Sequence, residues 1–181
     1  MLGRSIEERD PAVNKRTEFG HWECDLVIGQ KTGNDDVLLT LAERMSREYW
    51  MIPLASKESA SVMEAFEQIR MEYSEHFSEV FKTITTDNGS EFAQLSELEN
   101  LADTLVYFAH PYTSCEKGTN ERHNGMIRRF IPKGKRIDSY TAEEISNIEI
   151  WCNSLPRKIL GYRTPDEIFE DELDKIYGLI S

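Results

Sequence analysis

The sequence predicts an α/β fold in which a five-stranded mixed sheet is flanked by helices. Two observations support this prediction. Early in the chain, apolar and polar residues alternate with a period of two, which is typical of strands. The period then changes to that of a helix, and from there strand-like and helix-like segments take turns along the chain.

The first three strands are predicted to form an antiparallel meander. In the first of them Trp22 and Asp25 lie an odd number of positions apart, so the Asp25 carboxylate should lie on the face opposite Trp22. A turn-rich segment and then a short polar turn separate the three strands. They are predicted at residues 22–28, 37–42 and 49–54.

Helices and strands alternate in the remainder of the chain. Apolar residues at helical spacing predict an amphipathic helix over residues 57–77. Asn88 and Glu91 have the spacing of a capping box, which predicts a helix from there to about residue 102. Strands at 81–86 and 104–109 and a helix at 119–130 complete the order β-β-β-α-β-α-β-α, which is the order of the ribonuclease H-like fold. Further helices are predicted at 141–153 and 165–177.

The length and composition indicate a globular protein with one core. With 181 residues the chain is about one domain long. We expect residues 1–18 to form an N-terminal arm or linker and residues 19–181 to form the core together with the C-terminal helices. No apolar run approaches the roughly 20 residues of a membrane span. We therefore expect a cytoplasmic protein.

The distribution of charge is uneven. The net charge of −12 disfavours nucleic acid as a partner, because phosphate contacts usually require a basic surplus. Residues 105–137, however, carry seven basic and two acidic side chains, a net charge of +5. This basic segment surrounds Glu121, so DNA binding is compatible with the sequence.

Three carboxylates form the candidate site. Asp25 lies within the first strand, Asp87 at the end of the fourth, and Glu121 on the helix that follows the fifth. Taken singly, Asp87 could be a turn residue, Asp25 an exposed strand residue and Glu121 a solvated helix position. Taken together they have the hard oxygen ligands that suit two Mg²⁺ or Mn²⁺ ions in phosphoryl transfer.

Basic and amide side chains near Glu121 are candidates for DNA binding. At 100° per residue, Asn124, Gly125 and Arg128 share the helix face of Glu121. We expect Asn124, Arg128 and Arg122 to contact DNA near the cut. Further basic residues are expected to attract DNA in general rather than to read its sequence: Arg129, Lys133, Lys135 and Arg136.

At these residues the sequence resembles the catalytic core of a DDE transposase of the retroviral-integrase superfamily. It is most similar to the family of bacterial insertion-sequence transposases numbered thirty. Several blocks in the same order carry the resemblance, over nearly the whole chain. They are residues 5–9, 19–25, 86–89, 111–112, 118–121, 124–125, 132–134, 156–158, 160–161 and 164–165.

The resemblance implies a function and partners. Asp25, Asp87 and Glu121 would be the catalytic triad that binds two Mg²⁺ or Mn²⁺ ions. Members of the family cleave the ends of their element and transfer the 3′-hydroxyls to target DNA. We therefore expect element ends and target DNA as partners, a homo-oligomer in a synaptic complex, and association with the bacterial nucleoid.

Two alternatives remain open at this point. One is a ribonuclease H-like nuclease that hydrolyses DNA without strand transfer. The other is a non-catalytic remnant that acts in multimerisation or DNA docking. Such transposases recognise element ends through an N-terminal helix-turn-helix region, so we expect end recognition to depend on a part that this sequence lacks.

Overall fold

A computed structural model of the chain describes residues 2–30, 34–110 and 113–180. It confirms the α/β fold with a mixed sheet between helices. Within these ranges no helix is both long enough and apolar enough to cross a membrane. The strands are β1 (Arg4–Ser5), β2 (His21–Ile28), β3 (Val37–Glu43), β4 (Tyr49–Leu54), β5 (Thr83–Thr86) and β6 (Leu105–Phe108). The α-helices are α1 (Ser59–Tyr73), α2 (Phe77–Val80), α3 (Leu98–Leu101), α4 (Gly118–Ile127), α5 (Ala142–Asn153) and α6 (Pro165–Ile176).

The sheet combines the predicted meander with parallel strands. Its order is β1-β6-β5-β2-β3-β4. Strands β2, β3 and β4 pair antiparallel through short connections. Strand β5 pairs parallel with β2, and β6 pairs parallel with β5, because helices and longer connections intervene. The end of β5 therefore lies beside the middle of β2.

The N-terminal segment adds a sixth strand to the five that the sequence predicts. Strand β1 pairs parallel with β6, with Arg4 opposite Tyr107. Further along, the buried side chain of Arg9 donates from Nη1 to Thr85 Oγ1 at 2.7 Å. These residues lack a periodic pattern, so their contacts could not be read from the sequence. The domain boundary at residue 18 remains a prediction.

Each face of the sheet packs on its own apolar cluster. Leu39 and Leu41 of β3 lie in the cluster under α1 and α2, whereas Leu38 and Ala42 lie in the cluster under α4 and α5. This is the alternation expected of a strand that is covered on both faces. The free cysteines Cys24 and Cys152 lie in the first and the second cluster, respectively.

The predicted helix over residues 88–102 is wrong. The segment consists of two short 3₁₀ helices, Ser90–Phe92 and Leu95–Glu97, followed by the four residues of α3. Asn88 does not cap a helix, because its Nδ2 donates to the Ala109 carbonyl oxygen at 2.7 Å. The side chain that the capping-box spacing suggested is thus engaged with the strand next to β5.

Helix α5 covers the edge strand β4. The backbone N–H of Tyr49 donates to Asn153 Oδ1 at 3.0 Å, and that of Met51 donates to Glu149 Oε2 at 2.6 Å. The helix itself begins at a capping box in which Thr141 accepts from the Glu144 N–H. Side chains of α5 therefore take the place of a further strand at this edge.

Candidate active site

Pairing of β2 with β5 brings two of the predicted acids to neighbouring positions. Glu23 of β2 lies opposite Thr85 of β5 in the parallel register. Asp25 lies two residues further along β2, and Asp87 lies two residues after Thr85, directly after the end of β5, so both reach the same level of the sheet. On β2, Asp25 shares the face of Val27, which packs in the cluster under α4 and α5, opposite Trp22, as expected.

Lys117 lies between the two carboxylates. Its Nζ is 3.2 Å from Asp25 Oδ1 and 3.3 Å from Asp87 Oδ2. Burial acts to lower the pKa of Lys117, but the two carboxylates outweigh it and the pKa is raised. Burial raises the pKa of Asp25, and Lys117 opposes that shift. The pair of acids thus holds a cation, as the donor set of a divalent metal site would.

The Asp25 carboxylate is oriented from two further sides. Asn124 Nδ2 of α4 donates to Asp25 Oδ2 at 3.0 Å, and the Leu26 N–H donates to Asp25 Oδ1 at 3.0 Å. Asn124 is itself fixed, because the hydroxyl of Tyr49 donates to its Oδ1 at 2.7 Å. A DNA contact of Asn124 remains a prediction, while its contact with Asp25 gives it a positioning role.

Helix α4 is anchored to the middle of the sheet by Asn120. This fully buried residue donates from Nδ2 to the carbonyl oxygens of Glu23 and Thr40, both at 3.1 Å. Its backbone N–H donates to Glu23 Oε2 at 2.7 Å. The other oxygen of Glu23, Oε1, accepts from Arg44 Nη1 at 2.5 Å. The start of α4 is therefore held against β2 and β3 by a buried hydrogen-bond network, in which Arg44 Nε alone has no partner among the described residues.

Glu121 lies on the exposed side of the same helix. It forms no hydrogen bond or ion pair with the described residues. No group of three His, Cys, Asp or Glu side chains in the described ranges is placed to hold a metal ion. The structure thus brings Asp25 and Asp87 together but does not gather Glu121 with them, and its role as a metal ligand remains a prediction.

The predicted DNA-binding residues occupy several environments. Arg128 Nη2 donates to the Ile28 carbonyl oxygen at 3.1 Å, so part of its guanidinium is bound within the protein. Arg136 pairs with Asp138, and Lys135 Nζ lies 4.7 Å from the centroid of the Tyr140 ring. The others are exposed: Arg122, Arg129 and Lys133. Their contacts with DNA remain predictions.

Two residues of the site were missed by sequence reasoning. Lys117 directly precedes α4, and Asn120 lies in its first turn next to Glu121. The position of Lys117 close to Glu121, within the basic segment 105–137, could have marked it as a residue of the site. The burial of Asn120 had no such signal, because an asparagine in a polar helix is usually solvated.

Comparisons of sequence find insertion-sequence transposases. No protein-family model matches the chain. It is 41% identical, over 93% of its length, to a probable transposase for insertion-like sequence element IS1161 of Streptococcus salivarius. It is 36% identical, over 93% of its length, to transposase InsI for insertion sequence element IS30A of Escherichia coli. These matches cover 47% and 42% of the two relatives, so the chain spans about half the length of the curated relatives it matches.

A comparison of structures finds the same fold in a viral enzyme. The catalytic core domain of BIV integrase superposes with a TM-score of 0.62 at 17% identity. The match covers 87% of this chain and 98% of that domain. At this identity the likeness concerns the fold, and it agrees with the ribonuclease H-like order of strands and helices.

Proposed function

We propose that the chain belongs to the IS30 family of insertion-sequence transposases, over the part that it shares with them, and that it is their catalytic core. In this proposal it cleaves DNA at element ends and transfers the 3′-hydroxyls to target DNA. The observation that supports it best is the pair Asp25 and Asp87, which meet at neighbouring strands around the cation of Lys117. A polynucleotidyl transferase needs such a pair of carboxylates for its metal ions.

The residues fit two Mg²⁺ or Mn²⁺ ions. Asp25 and Asp87 supply hard oxygen donors, and Glu121 would supply the third carboxylate. Bound metal ions would lower the pKa of the attacking water or 3′-hydroxyl and stabilise the leaving oxygen. Lys117 would have to leave the space between the two acids when the ions bind.

The chain's own residues contribute orientation. Asn124 and the Leu26 N–H fix the plane of the Asp25 carboxylate, so its oxygens are aimed before DNA arrives. Asn120 fixes the start of α4, on which Glu121 is carried. Glu121 on the outer side of α4 remains open to solvent, from which the phosphodiester would approach.

The test is metal-dependent cleavage and joining of DNA. A supercoiled plasmid is incubated with the chain and Mg²⁺ or Mn²⁺, and nicked and joined products are separated on a gel. We expect both products with either ion and neither product with EDTA. Asp87→Asn should abolish them, whereas Asp103→Asn, which changes an exposed aspartate in the same way, should not.

The products also decide between the alternatives. Nicked DNA without joined strands would support a nuclease that only hydrolyses. Activity that persists in Asp87→Asn would exclude the assigned site. Absence of any product from a chain that still binds DNA would support the non-catalytic role.

The partners follow from the same proposal. Cleavage of two element ends in one event requires a pair of cores, so we expect a homo-oligomer in a synaptic complex with element ends and target DNA. Such a substrate would place the protein at the bacterial nucleoid in the cytoplasm. Sedimentation of the chain with and without a DNA duplex would measure the change in oligomeric state.

A further inference from the structure

A groove of about 750 Å³ lies beside the start of α4. Its walls come from one side of α4, the turn between β3 and β4, and residues 156–159. Arg16, which directly follows the 3₁₀ helix Pro11–Lys15, completes the lining. Among the described residues that line it there is no aspartate or glutamate. Five cationic side chains line it: Arg16, Arg47, Arg122, Arg157 and Lys158.

These five cations are not neutralised within the part of the chain that the structure describes. None of them is in an ion pair there, although Arg44, Arg70 and Arg163 each pair with a carboxylate. The buried Nε atoms of Arg47 and Arg157 have no hydrogen-bond partner in the described ranges. In a chain with a net charge of −12, such a group of unpaired cations is unusual.

The cations also act on one another. Burial and then the charge of Arg16 lower the pKa of Arg47 to about 10. Burial lowers the pKa of Arg157, and the charge of Arg122 acts in the same direction. Gathering these charges therefore costs the folded chain free energy, and a bound anion would offset that cost.

The groove adjoins the acids of the active site. Lys117, which contacts both carboxylates, is followed directly by Gly118 and Thr119 of the groove wall. Arg47 Nη1 donates to Thr119 Oγ1 at 3.3 Å. The guanidinium of Arg16 lies next to Gly118, where an added methyl group would be in van der Waals contact with Nη2. The N-terminus of α4, whose dipole favours anions, lies among these cations.

We propose that this groove binds the sugar-phosphate backbone of a DNA strand next to the phosphodiester that is cut. The inference rests on the proposed function, since it takes the substrate to be DNA. Five cations without a carboxylate recognise phosphates and carry no sequence information. In this proposal one strand runs from the groove past the start of α4 to Asp25 and Asp87.

The experiment measures the salt dependence of DNA binding. A fluorescein-labelled duplex is titrated with the chain in EDTA, and the association constant is followed between about 50 and 200 mM salt. Arg122→Gln combined with Lys158→Gln removes two exposed cations of the groove. The slope of log K against log salt should become less steep by about 2, because each phosphate contact contributes about 0.9.

A matched control carries the same change of charge elsewhere. Arg70→Gln combined with Lys175→Gln removes two cations that pair with Glu67 and Glu172, outside the groove. This variant should keep the slope of the unaltered chain. Equal slopes in the two double variants, or no DNA binding by the unaltered chain, would overturn the proposal.

The result is separable from that of the proposed function, because binding in EDTA needs no chemistry. A changed slope in a chain that fails to nick DNA would leave the groove assignment intact and remove the enzymatic one. If the slope is unchanged but nicking depends on Asp87, the groove assignment falls and the enzymatic one stands.

Discussion

The two faces of helix α4 differ in what surrounds them. On the inner face Asn120, His123 and Ile127 are buried. The Asn120 amide donates to the sheet, and His123 Nδ1 donates to the Thr119 carbonyl oxygen of the helix itself. Among the described residues His123 Nε2 has no hydrogen-bond partner. On the outer face Glu121 and Arg122 are exposed. The inner face determines where the helix lies, and the outer face is left free for a ligand.

Within the ten residues of α4, the buried face sets the position of the helix, and the exposed face carries the predicted metal ligand. Asp25 lies on β2 and Asp87 directly follows β5, so the pairing of these two strands brings the two acids together. Glu121 depends instead on the placement of a helix, and that placement depends on the polar contacts of Asn120. A change on the inner face should therefore act on stability first, whereas a change on the outer face should act on activity alone.

The largest effect is expected on the outer face. Glu121→Gln removes a charge that would bind metal, so the rate of DNA cleavage should fall by about 100-fold or more. Its melting temperature should match that of the unaltered chain, because Glu121 is exposed. Glu143→Gln, at an exposed position of α5, is the control and should keep its cleavage rate. A cleavage rate for Glu121→Gln equal to that of the control would remove Glu121 from the site.

The inner face is tested by Asn120→Ala. The substitution leaves the carbonyl oxygens of Glu23 and Thr40 without their donor, so the free energy of unfolding should fall by about 2 to 4 kcal/mol. Urea unfolding measures it. Asn147→Ala, on the exposed side of α5, should change the free energy of unfolding by less than about 0.5 kcal/mol. Similar losses in both variants would show that Asn120 is not an anchor.

His123 gives the inner face a pH dependence. Burial lowers its pKa to about 4, below the ordinary value of 6.5, so the unfolded chain binds the proton more readily. This contribution to stability is present above pH 6.5 and is lost as the pH falls towards 4. Between pH 7 and 5 the unaltered chain should lose about 2 kcal/mol more than His123→Phe, which keeps a ring against Tyr49. Parallel curves of unfolding free energy against pH would contradict this.

The smallest effect concerns the residue just before α4. Lys117→Met removes the cation that occupies the space between Asp25 and Asp87. We expect Mn²⁺ to bind about five to ten times more tightly, as measured by the electron paramagnetic resonance signal of free Mn²⁺. Lys133→Met, at an exposed position, is the control. Weaker Mn²⁺ binding to Lys117→Met would indicate that Lys117 supports the site rather than blocks it.

Local patterns predicted much of the fold. Alternation in β2 correctly placed Trp22 and Asp25 on opposite faces, and the helices predicted at 141–153 and 165–177 correspond to α5 and α6. The alternation of a strand and the extent of a helix both depend on neighbouring residues, so a single sequence is enough to predict them.

Contacts between distant segments could not be predicted in this way. Lys117 meets Asp25 and Asp87 across 92 and 30 positions, and only the folded sheet brings them together. Asn88 had the spacing of a helix cap, but a carbonyl oxygen 21 residues away took its side chain. The contact of Asn88 thus overrode a local preference for a helix cap. The contacts of Lys117 arise from the fold and correspond to no local pattern.

The cover of α5 on strand β4 has a consequence for assembly. An edge strand with free N–H groups is a template for a strand of another molecule, which leads to aggregation. Here Asn153 and Glu149 accept the N–H groups of Tyr49 and Met51, so this edge offers those donors to no second chain. Two copies that meet at this side therefore cannot use these N–H groups to extend the sheet from one molecule to the next.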